Sequence, residues 1–158
     1  MRRKDRKVTN PEEIRKVLEE CKVCRLGMTD GEKTYIVPMN MGFDYDGERL
    51  ILYFHCAMEG KKLALLRENG QVGFEMDKEI ALTEGNTPCQ YSFRYASIIG
   101  NGQAELVGDE NEKAAALAKI MKHQTGKDFD DFEKNPKLVR AVMVIKVTAQ
   151  EYSCKRNG

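Results

Sequence analysis

The chain has 158 residues, of which 41% are hydrophobic and 32% charged, and its formal net charge is +1. This composition is typical of one globular domain with a sizeable core and excludes a disordered chain. The near-zero charge gives no electrostatic case for nucleic-acid binding, and no apolar run approaches the roughly 20 residues of a membrane span. Because no apolar segment follows the basic N-terminus, we expect no signal peptide and a cytoplasmic location. Residues 1–158 are expected to form a single domain.

A basic arm and a helix open the chain. Residues 1–8 carry five Arg and Lys side chains. They are predicted to be a solvated arm, and the alternative is an arm that lies on a partner chain or an anionic ligand. Asn10 and Pro11 then suit the cap and first position of a helix that is predicted to end near Glu20. Its predicted apolar stripe consists of Ile14, Val17 and Leu18.

Five cysteines and no secretion signal favour free thiols. Cys21 and Cys24 form a CxxC pair, which alone is weak evidence for zinc. A redox CxxC follows a strand and opens a helix, whereas here a helix precedes the pair and a strand follows it. We therefore predict that both cysteines pack as small apolar side chains, and we predict no metal site.

The next segments alternate in hydrophobicity and are separated by Asp-Gly turns, so they are predicted to form a meander of three strands at 22–29, 34–43 and 48–55. Pro38 lies inside the second strand. Because proline lacks a backbone N–H, that strand is predicted to lie at a sheet edge or to be interrupted. A free edge offers backbone groups to a flat ligand, or the proline simply protects the edge; the sequence leaves both interpretations open.

The second half alternates strands and helices. We predict helices at 59–69 and 109–124, strands at 71–77, 91–107 and 139–152, loops at 78–89 and 125–136, and a polar tail. Asp109, with Glu112 three residues later, is predicted to cap the second of these helices. Gly100 and Gly102 are expected to mark a bend or bulge in the long strand. The chain is thus mainly β, a small barrel of about six antiparallel strands with three peripheral helices.

Gly60, Lys61 and Lys62 open the second predicted helix directly after an apolar strand that ends in His55. Free N–H groups at a helix start, together with two lysines, are typical of a phosphate site. A solvated lysine pair is the alternative. A lysine at a helix N-terminus opposes the helix dipole, which favours a bound anion.

Other chemistries lack their signatures. The chain contains no GxSxG, GxGxxG or GxxxxGK[ST] motif, and its two histidines form no grouping with metal-ligand spacing. This leaves His55 and the turn formed by Gly60, Lys61 and Lys62, called the lysine turn below, as the candidate site.

Three segments resemble the pyridoxamine 5′-phosphate oxidase-like, FMN-binding split barrels, and within them the nitroimidazole-resistance type of small flavoprotein. The segments are MRRKDRKV, the block from VCRLGMTDGEKTYIVPMNMGF through LYFHCAMEGKKLALLRENGQVGFEMD, and RYASIIGNGQAELV. The resemblance covers nearly the whole chain, and its most specific part is the Gly-basic-basic turn.

The resemblance implies a homodimer with two shared flavin sites. It matches Lys61 and Lys62 to the basic pair on the FMN phosphate and Ser97 to a residue that reaches the flavin from the second subunit. The remaining implied cofactor-binding residues lie beside the flavin ring: Val37, Pro38, Met39, Asn40, Phe54 and His55.

The implied function is that of an FMN-dependent oxidoreductase. It would take reducing equivalents from a nicotinamide donor or a partner reductase and reduce a small electron-poor substrate, such as a nitroaromatic compound. His55 is the candidate for proton delivery or substrate contact. The alternative is a non-catalytic flavin- or haem-binding carrier or sensor, in which His55 is an axial ligand. The chain lacks the C-terminal arginine–histidine arrangement that holds the substrate phosphate in the oxidases, so we do not expect the oxidase reaction itself.

Overall fold

The computed structural model describes residues 3–158 as eight strands, five α-helices and two short 3-10 helices, Lys4–Arg6 and Pro88–Gln90. The strands are β1 (Lys7–Val8), β2 (Val23–Asp30), β3 (Lys33–Asn40), β4 (Gly42–Tyr45), β5 (Leu50–Cys56), β6 (Gln71–Thr83), β7 (Ser92–Val107) and β8 (Met143–Asn157). The helices are α1 (Pro11–Glu20), α2 (Lys61–Glu68), α3 (Glu110–Thr125), α4 (Asp131–Lys134) and α5 (Pro136–Arg140). No helix among these is long and apolar enough to cross a membrane.

All strands belong to one antiparallel sheet in the order β3-β2-β6-β7-β8-β5-β4, and β1 also pairs with β8. The sheet curls until β3, at one edge, contacts β5 near the other. It stays open because no backbone ladder joins these two strands. The predicted class, a mainly β barrel with peripheral helices, is confirmed.

The stretch predicted as a single strand at 34–43 is two strands, and this prediction was wrong. β3 ends at Asn40 and β4 begins at Gly42, with Met41 fully buried between them. β3 pairs with β2, whereas β4 pairs with β5 at the opposite end of the sheet. Continuous β periodicity does not reveal such a change of partner, which accounts for one of the two strands beyond the predicted six.

The other additional strand is β1, in the arm predicted to be solvated. Val8 pairs with Cys154 and is itself buried, and the guanidinium of Arg6 lies over the ring of Tyr95. From Arg6 to Val8 the arm is therefore tied to its own chain; residues 1 and 2 lie outside the described residues. A basic composition did not indicate this, because one apolar residue is enough to anchor so short a strand.

Two boundaries in the second half also differ from the prediction. β6 continues through the predicted loop to Thr83, with a bulge between Glu79 and Ala81. The last strand begins at Met143 because Pro136 opens α5, and it continues through the predicted polar tail to Asn157. Polar residues form strands here because the neighbouring strands accept their backbone hydrogen bonds, which outweighs weak β propensity.

Several local predictions are confirmed. The side chain of Asn10 accepts from the N–H of Glu12 at 2.9 Å, and that of Asp109 from the N–H of Glu112 at 2.8 Å. The register of β7 against β8 shifts between Asn101 and Gly102, where a bulge is expected, but the extra residue is Gln150 on β8 rather than a residue of β7. Both helix starts are thus capped by the residues that the sequence indicates.

The barrel interior holds the main core, in which Leu26, Leu52 and Phe54 are fully buried. The apolar stripe of α1 packs onto this core through Ile14, Val17 and Leu18, as predicted. A second cluster lies outside the barrel, where α3 and α5 cover β5 and β8; its members are Tyr53, Val107, Ala114, Ala116, Leu117, Ile120, Val139 and Val144.

The CxxC pair is structural. Cys21 and Cys24 are free, buried thiols in the main core, and burial raises the pKa of each to about 12. Because the thiolate is the reactive and metal-binding form, neither residue is suited to redox or zinc chemistry. The prediction that they pack as small apolar side chains is confirmed.

Gly42 provides a test of how α3 is seated on the barrel. A Cβ at this position would lie 2.6 Å from the backbone nitrogen of Ile120. Gly42→Ala is therefore expected to lower the free energy of unfolding by about 1–3 kcal/mol, measured by denaturant titration. In the control Gly108→Ala the new Cβ meets nothing within 4 Å, so a change within about 0.5 kcal/mol is expected. Equal losses in both variants would contradict this account of α3.

His123 makes stability depend on pH. Its Nε2 lies 2.8 Å from the carbonyl oxygen of Cys21, and burial lowers the pKa of the imidazole below its usual 6.5. The unfolded chain then binds a proton more readily than the folded chain between the two pKa values. The stability that depends on this group is therefore expected to be present above pH 6.5 and to fall as the pH is lowered below 6.5.

This pH dependence is measured by urea unfolding at several pH values. His123→Gln is expected to flatten the profile between pH 5 and 7, whereas the control His55→Gln, at an exposed position, retains the wild-type slope. Identical slopes for wild type and His123→Gln would refute the assignment.

Candidate functional site

The end of β5 exposes His55 beside a buried Phe54. Phe54 is 0% exposed and pairs with Ile145, whereas His55 pairs with Val144 and its side chain is exposed. Alternation along the strand explains the difference, since successive side chains point to opposite faces. Only His55 of the two can offer its side chain to a ligand, because the side chain of Phe54 lies wholly in the core.

Gly60 shapes the turn that follows. Its φ of +142° is a conformation that residues with a side chain rarely adopt, and it caps α2 without a side-chain hydrogen bond. Its carbonyl accepts from the N–H groups of Leu63 and Ala64. The N–H groups of Lys61 and Lys62 have no acceptor within the helix, and among residues 3–158 no other group accepts from them. The turn therefore presents two free backbone donors.

Lys61 contacts the β2–β3 hairpin. Its Nζ lies 2.6 Å from Oδ2 of Asp30 and 4.9 Å from the ring centroid of Tyr35. The hydrogen bond that the ammonium of Lys61 donates to Asp30 raises the pKa of Lys61. The carboxylate also cancels part of the positive charge that the lysine pair would otherwise present, so the two lysines are not equivalent.

Lys62 forms no ion pair in the described part of the chain and is half-buried beside the end of β5. Burial raises the pKa of Cys56, and the positive charge of Lys62 partly opposes that shift. An uncompensated ammonium group held close to a strand end, next to two free N–H groups, is the arrangement expected of an anion site.

The strand β3 provides the second wall. It lies at the edge of the sheet with β2 as its only ladder partner, so the prediction of an edge position for Pro38 is confirmed. Met39 is buried and Val37 half-buried, whereas Pro38 and Asn40 are exposed. The amide of Asn40 donates to Oε1 of Gln124 at 3.0 Å, which ties this end of β3 to α3.

The structure places next to each other the elements that carry most of the predicted site residues. β3, which carries Val37–Asn40, contacts β5, which carries His55, and the ammonium of Lys61 lies over the ring of Tyr35 on β3. Ser97 is the exception, because β2 and β6 separate its strand from β3. It pairs with Asp77 and Lys155 in the middle of β7, so within one chain it does not join the site.

Three residues that contact the candidate site have no signal in the sequence: Asp30, Tyr35 and Gln124. In the sequence Asp30 is recognisable only as part of an Asp-Gly turn. Its distance of 31 residues from Lys61 gives no periodic signal, and an ion pair between distant segments becomes visible only when the hairpin and helix are placed side by side.

An incomplete antiparallel barrel with a basic helix start beside a free edge strand defines a split-barrel protein. The chain belongs to the pyridoxamine 5′-phosphate oxidase family, whose model matches residues 10–156. The family expected from the sequence is thereby confirmed. A search of curated proteins found no match.

Solved structures agree with this fold. A Bacteroides thetaiotaomicron protein provisionally assigned to 5-nitroimidazole antibiotic resistance is 30% identical, with a TM-score of 0.78 over 95% of this chain and 86% of that one. The flavocytochrome Anf3 of Azotobacter vinelandii is 20% identical, with a TM-score of 0.78 over 100% and 72% of the two chains. A Mycobacterium smegmatis FAD and haem binding protein is 16% identical, with a TM-score of 0.75 over 96% and 73%. At 20% and 16% identity, the similarity to the Azotobacter and Mycobacterium proteins concerns the fold alone.

The residues of the turn fit a flavin phosphate. The backbone N–H groups of Lys61 and Lys62 and the ammonium of Lys62 are donors, and a Cβ placed on Gly60 would meet nothing within 4 Å, so the turn is open to a ligand. Two carboxylates near the turn oppose an anion: Asp30, which is neutralised by Lys61, and Glu59, which is exposed one residue before Gly60. The donor set therefore suits a dianionic phosphate held mainly by the turn itself.

Asp30 provides a test of this charge balance. Asp30→Asn is expected to tighten the binding of a phosphate monoester, FMN, roughly threefold to fivefold at low salt, because it removes a nearby negative charge and releases Lys61. Isothermal titration calorimetry measures the change. The control Glu32→Gln removes an exposed carboxylate from the same hairpin and should leave affinity unchanged. Weaker binding by Asp30→Asn would mean that Asp30 serves mainly to hold Lys61 in place.

Proposed function

We propose that this chain is an FMN-dependent oxidoreductase whose flavin phosphate binds at the start of α2. The observation that carries the proposal is the open Gly60 turn, with its two free N–H groups and the unpaired Lys62, close to the free edge strand β3. The chain's membership of the family supports the same interpretation. The family match and the flavin-binding neighbours support a flavin in general; FMN specifically is our proposal.

The flavin ring would lie along Val37–Asn40. An edge strand has unpaired backbone N–H and C=O groups on its outer side, and an isoalloxazine carries donors and acceptors along one edge that match such groups. Pro38 interrupts this row because it has no N–H. Asn40, held by Gln124, marks the end of the row nearest to α3.

When bound, FMN supplies the hydride chemistry, and the protein binds and orients it. His55 is exposed at the strand end, and its imidazole has no hydrogen-bond partner among residues 3–158. Imidazole exchanges protons near neutrality, so His55 is proposed to deliver a proton or contact the substrate. The proposed substrate is small and electron-poor, of the nitroaromatic type, with electrons from a reduced nicotinamide or a partner reductase. The 30% identity to the Bacteroides protein supports this class.

We propose that two copies share the site through the outer face of β3, β2, β6 and β7. On this face Ile36 is 61% exposed and Ile99 is 48% exposed. Gly27 and Gly73 lie side by side between them, which allows a second backbone to approach closely. Ser97 is two residues from Ile99 on the same face, so a partner chain packed here would bring its Ser97 toward the flavin.

The absorbance spectrum of the purified protein tests the proposal. A flavin spectrum that bleaches on addition of NADH or NADPH under anaerobic conditions, and returns with a nitroaromatic acceptor, is the expected result. Reduction by dithionite alone would point to a separate reductase. A colourless protein that fails to bind added FMN would refute flavin binding.

A non-catalytic haem or flavin carrier is the second candidate. The observation that favours it is the exposed, unbonded imidazole of His55, which is suited to axial ligation of haem iron. A Soret band, lost in His55→Ala, identifies haem. A stable flavin spectrum without turnover identifies a flavin carrier.

The lysine pair gives a graded prediction. Lys61→Ala together with Lys62→Ala should weaken FMN binding by about 2–4 kcal/mol, through loss of charge-assisted hydrogen bonds. Lys62→Ala alone should account for most of the loss, because Asp30 already engages Lys61. Flavin fluorescence quenching measures the affinities. Arg67→Ala, on the same helix but at an exposed position in its last turn, is the control and should bind normally. Unchanged affinity in the double variant would remove the phosphate assignment.

The shared site gives a further prediction. Ile99→Asp places a charge on the proposed interface, so it should convert a dimer to a monomer in light scattering and weaken FMN binding at the same time. Leu138→Asp changes an equally exposed leucine on α5 and should leave both properties unaltered. A monomeric wild type, or a dimeric Ile99→Asp variant, would argue against this face.

A further inference from the structure

A cavity at α1, β4 and α3 does not belong to the proposed flavin site. It has a volume of about 570 Å³ and lies between α1, β4 and the second half of α3. None of the residues assigned above to the flavin or to the dimer lines it. Cavities of roughly 300–1,000 Å³ are the usual size for small-molecule sites.

Two aromatic rings form apolar walls. Phe43 from β4 and Phe129 from the loop after α3 are both half-buried at the cavity. Ala118 of α3 also lines the cavity. The ring of Phe43 meets the imidazole of His123 edge to face, with centroids 5.1 Å apart. These walls favour a planar apolar ligand.

Two cations on the cavity lining have spare donors. Arg15 donates to the carbonyl oxygen of Tyr45 and Lys22 to that of His123. Neither forms an ion pair in the described part of the chain. A guanidinium has five N–H donors and an ammonium three, so most of their donors have no protein acceptor.

The charged groups of the lining that are not in ion pairs have a net positive charge. Lys119 pairs with Asp44 and Lys122 with Asp128. Arg15 and Lys22 then remain against a single unpaired carboxylate, that of Glu19. The balance favours a ligand with one negative charge.

His123 adds a polar group of defined state. Its Nε2 donates to the carbonyl oxygen of Cys21, and burial lowers the pKa of the ring, so at neutral pH the imidazole is neutral. Nδ1 is then an acceptor, and no donor to it lies within the described residues. The site therefore offers one acceptor as well as two cations.

We propose that this cavity is a second ligand site that binds a planar aromatic monocarboxylate. The aromatic ring lies between Phe43 and Phe129, and the carboxylate is held by Arg15 and Lys22. A hydroxyl or amino substituent on the ring donates to His123. The proposal is independent of the flavin, since the two sites have no residue in common.

The test uses 2-naphthoate as the probe, titrated by calorimetry into the full-length protein as purified. One-to-one binding is expected, together with at least tenfold weaker binding of the uncharged analogue 2-naphthalenemethanol. Arg15→Gln combined with Lys22→Gln should weaken 2-naphthoate binding at least tenfold. The matched control is Lys16→Gln, which removes an exposed cation next to Arg15 on the same helix.

Two further variants keep the test decisive. Ala118→Phe retains every charge and fills the cavity, so it should also abolish binding even if the double variant folds poorly. Lys61→Ala with Lys62→Ala should bind 2-naphthoate normally, which separates this cavity from the flavin site. The proposal is overturned if 2-naphthoate fails to bind at millimolar concentration, if Ala118→Phe binds as well as wild type, or if the uncharged analogue binds as tightly.

Discussion

The pairing of β8 with three other strands is the constraint on which the rest of this structure depends. β8 pairs with β7 along most of its length, with β5 on its other side, and with β1 near its end. It therefore joins the N-terminal arm, the middle of the chain and the long β6–β7 hairpin into one sheet. Because His55 pairs with Val144, the last strand also fixes the position of His55, near the end of the strand that leads into the lysine turn. The candidate site is local in sequence, but it is held by residues about ninety positions away.

The lysine turn shows how a local conflict is relieved by tertiary contacts. Two lysines at a helix N-terminus oppose the helix dipole and each other. Asp30 and Tyr35, from a separate hairpin, stabilise Lys61, while Lys62 keeps its charge beside the free N–H groups. The turn is thereby preorganised with one cation committed to the protein and one available to an anion. The same hairpin leads into the edge strand, so the phosphate and ring subsites of the proposed flavin site are linked by β2 and β3.

Local signals predicted local structure well. The caps Asn10 and Asp109, the Asp-Gly turns, the edge position of Pro38 and the bulge near Gly102 each depend on neighbouring residues only, and each is observed. The wrong strand boundaries occurred in two situations. At Met41 the chain changes its strand partner, and at Lys78–Thr83 and Ser153–Asn157 polar segments form strands because a neighbouring strand pairs with them. Propensity carries no information on which strand lies alongside, so such segments are decided by the hydrogen bonds of their neighbours.

The sequence by itself determined the class of fold, the family resemblance and the place of a basic helix start after a strand that ends in His55. These follow from periodicity, turn residues and a short specific motif. Only the tertiary structure decided that Asp30 divides the roles of Lys61 and Lys62, that Ser97 lies apart from the site of its own chain, and that α1, β4 and α3 enclose a second cavity. The physical reason is the same in each case: charge balance and enclosure depend on distances between segments remote in sequence, which only the packed chain defines.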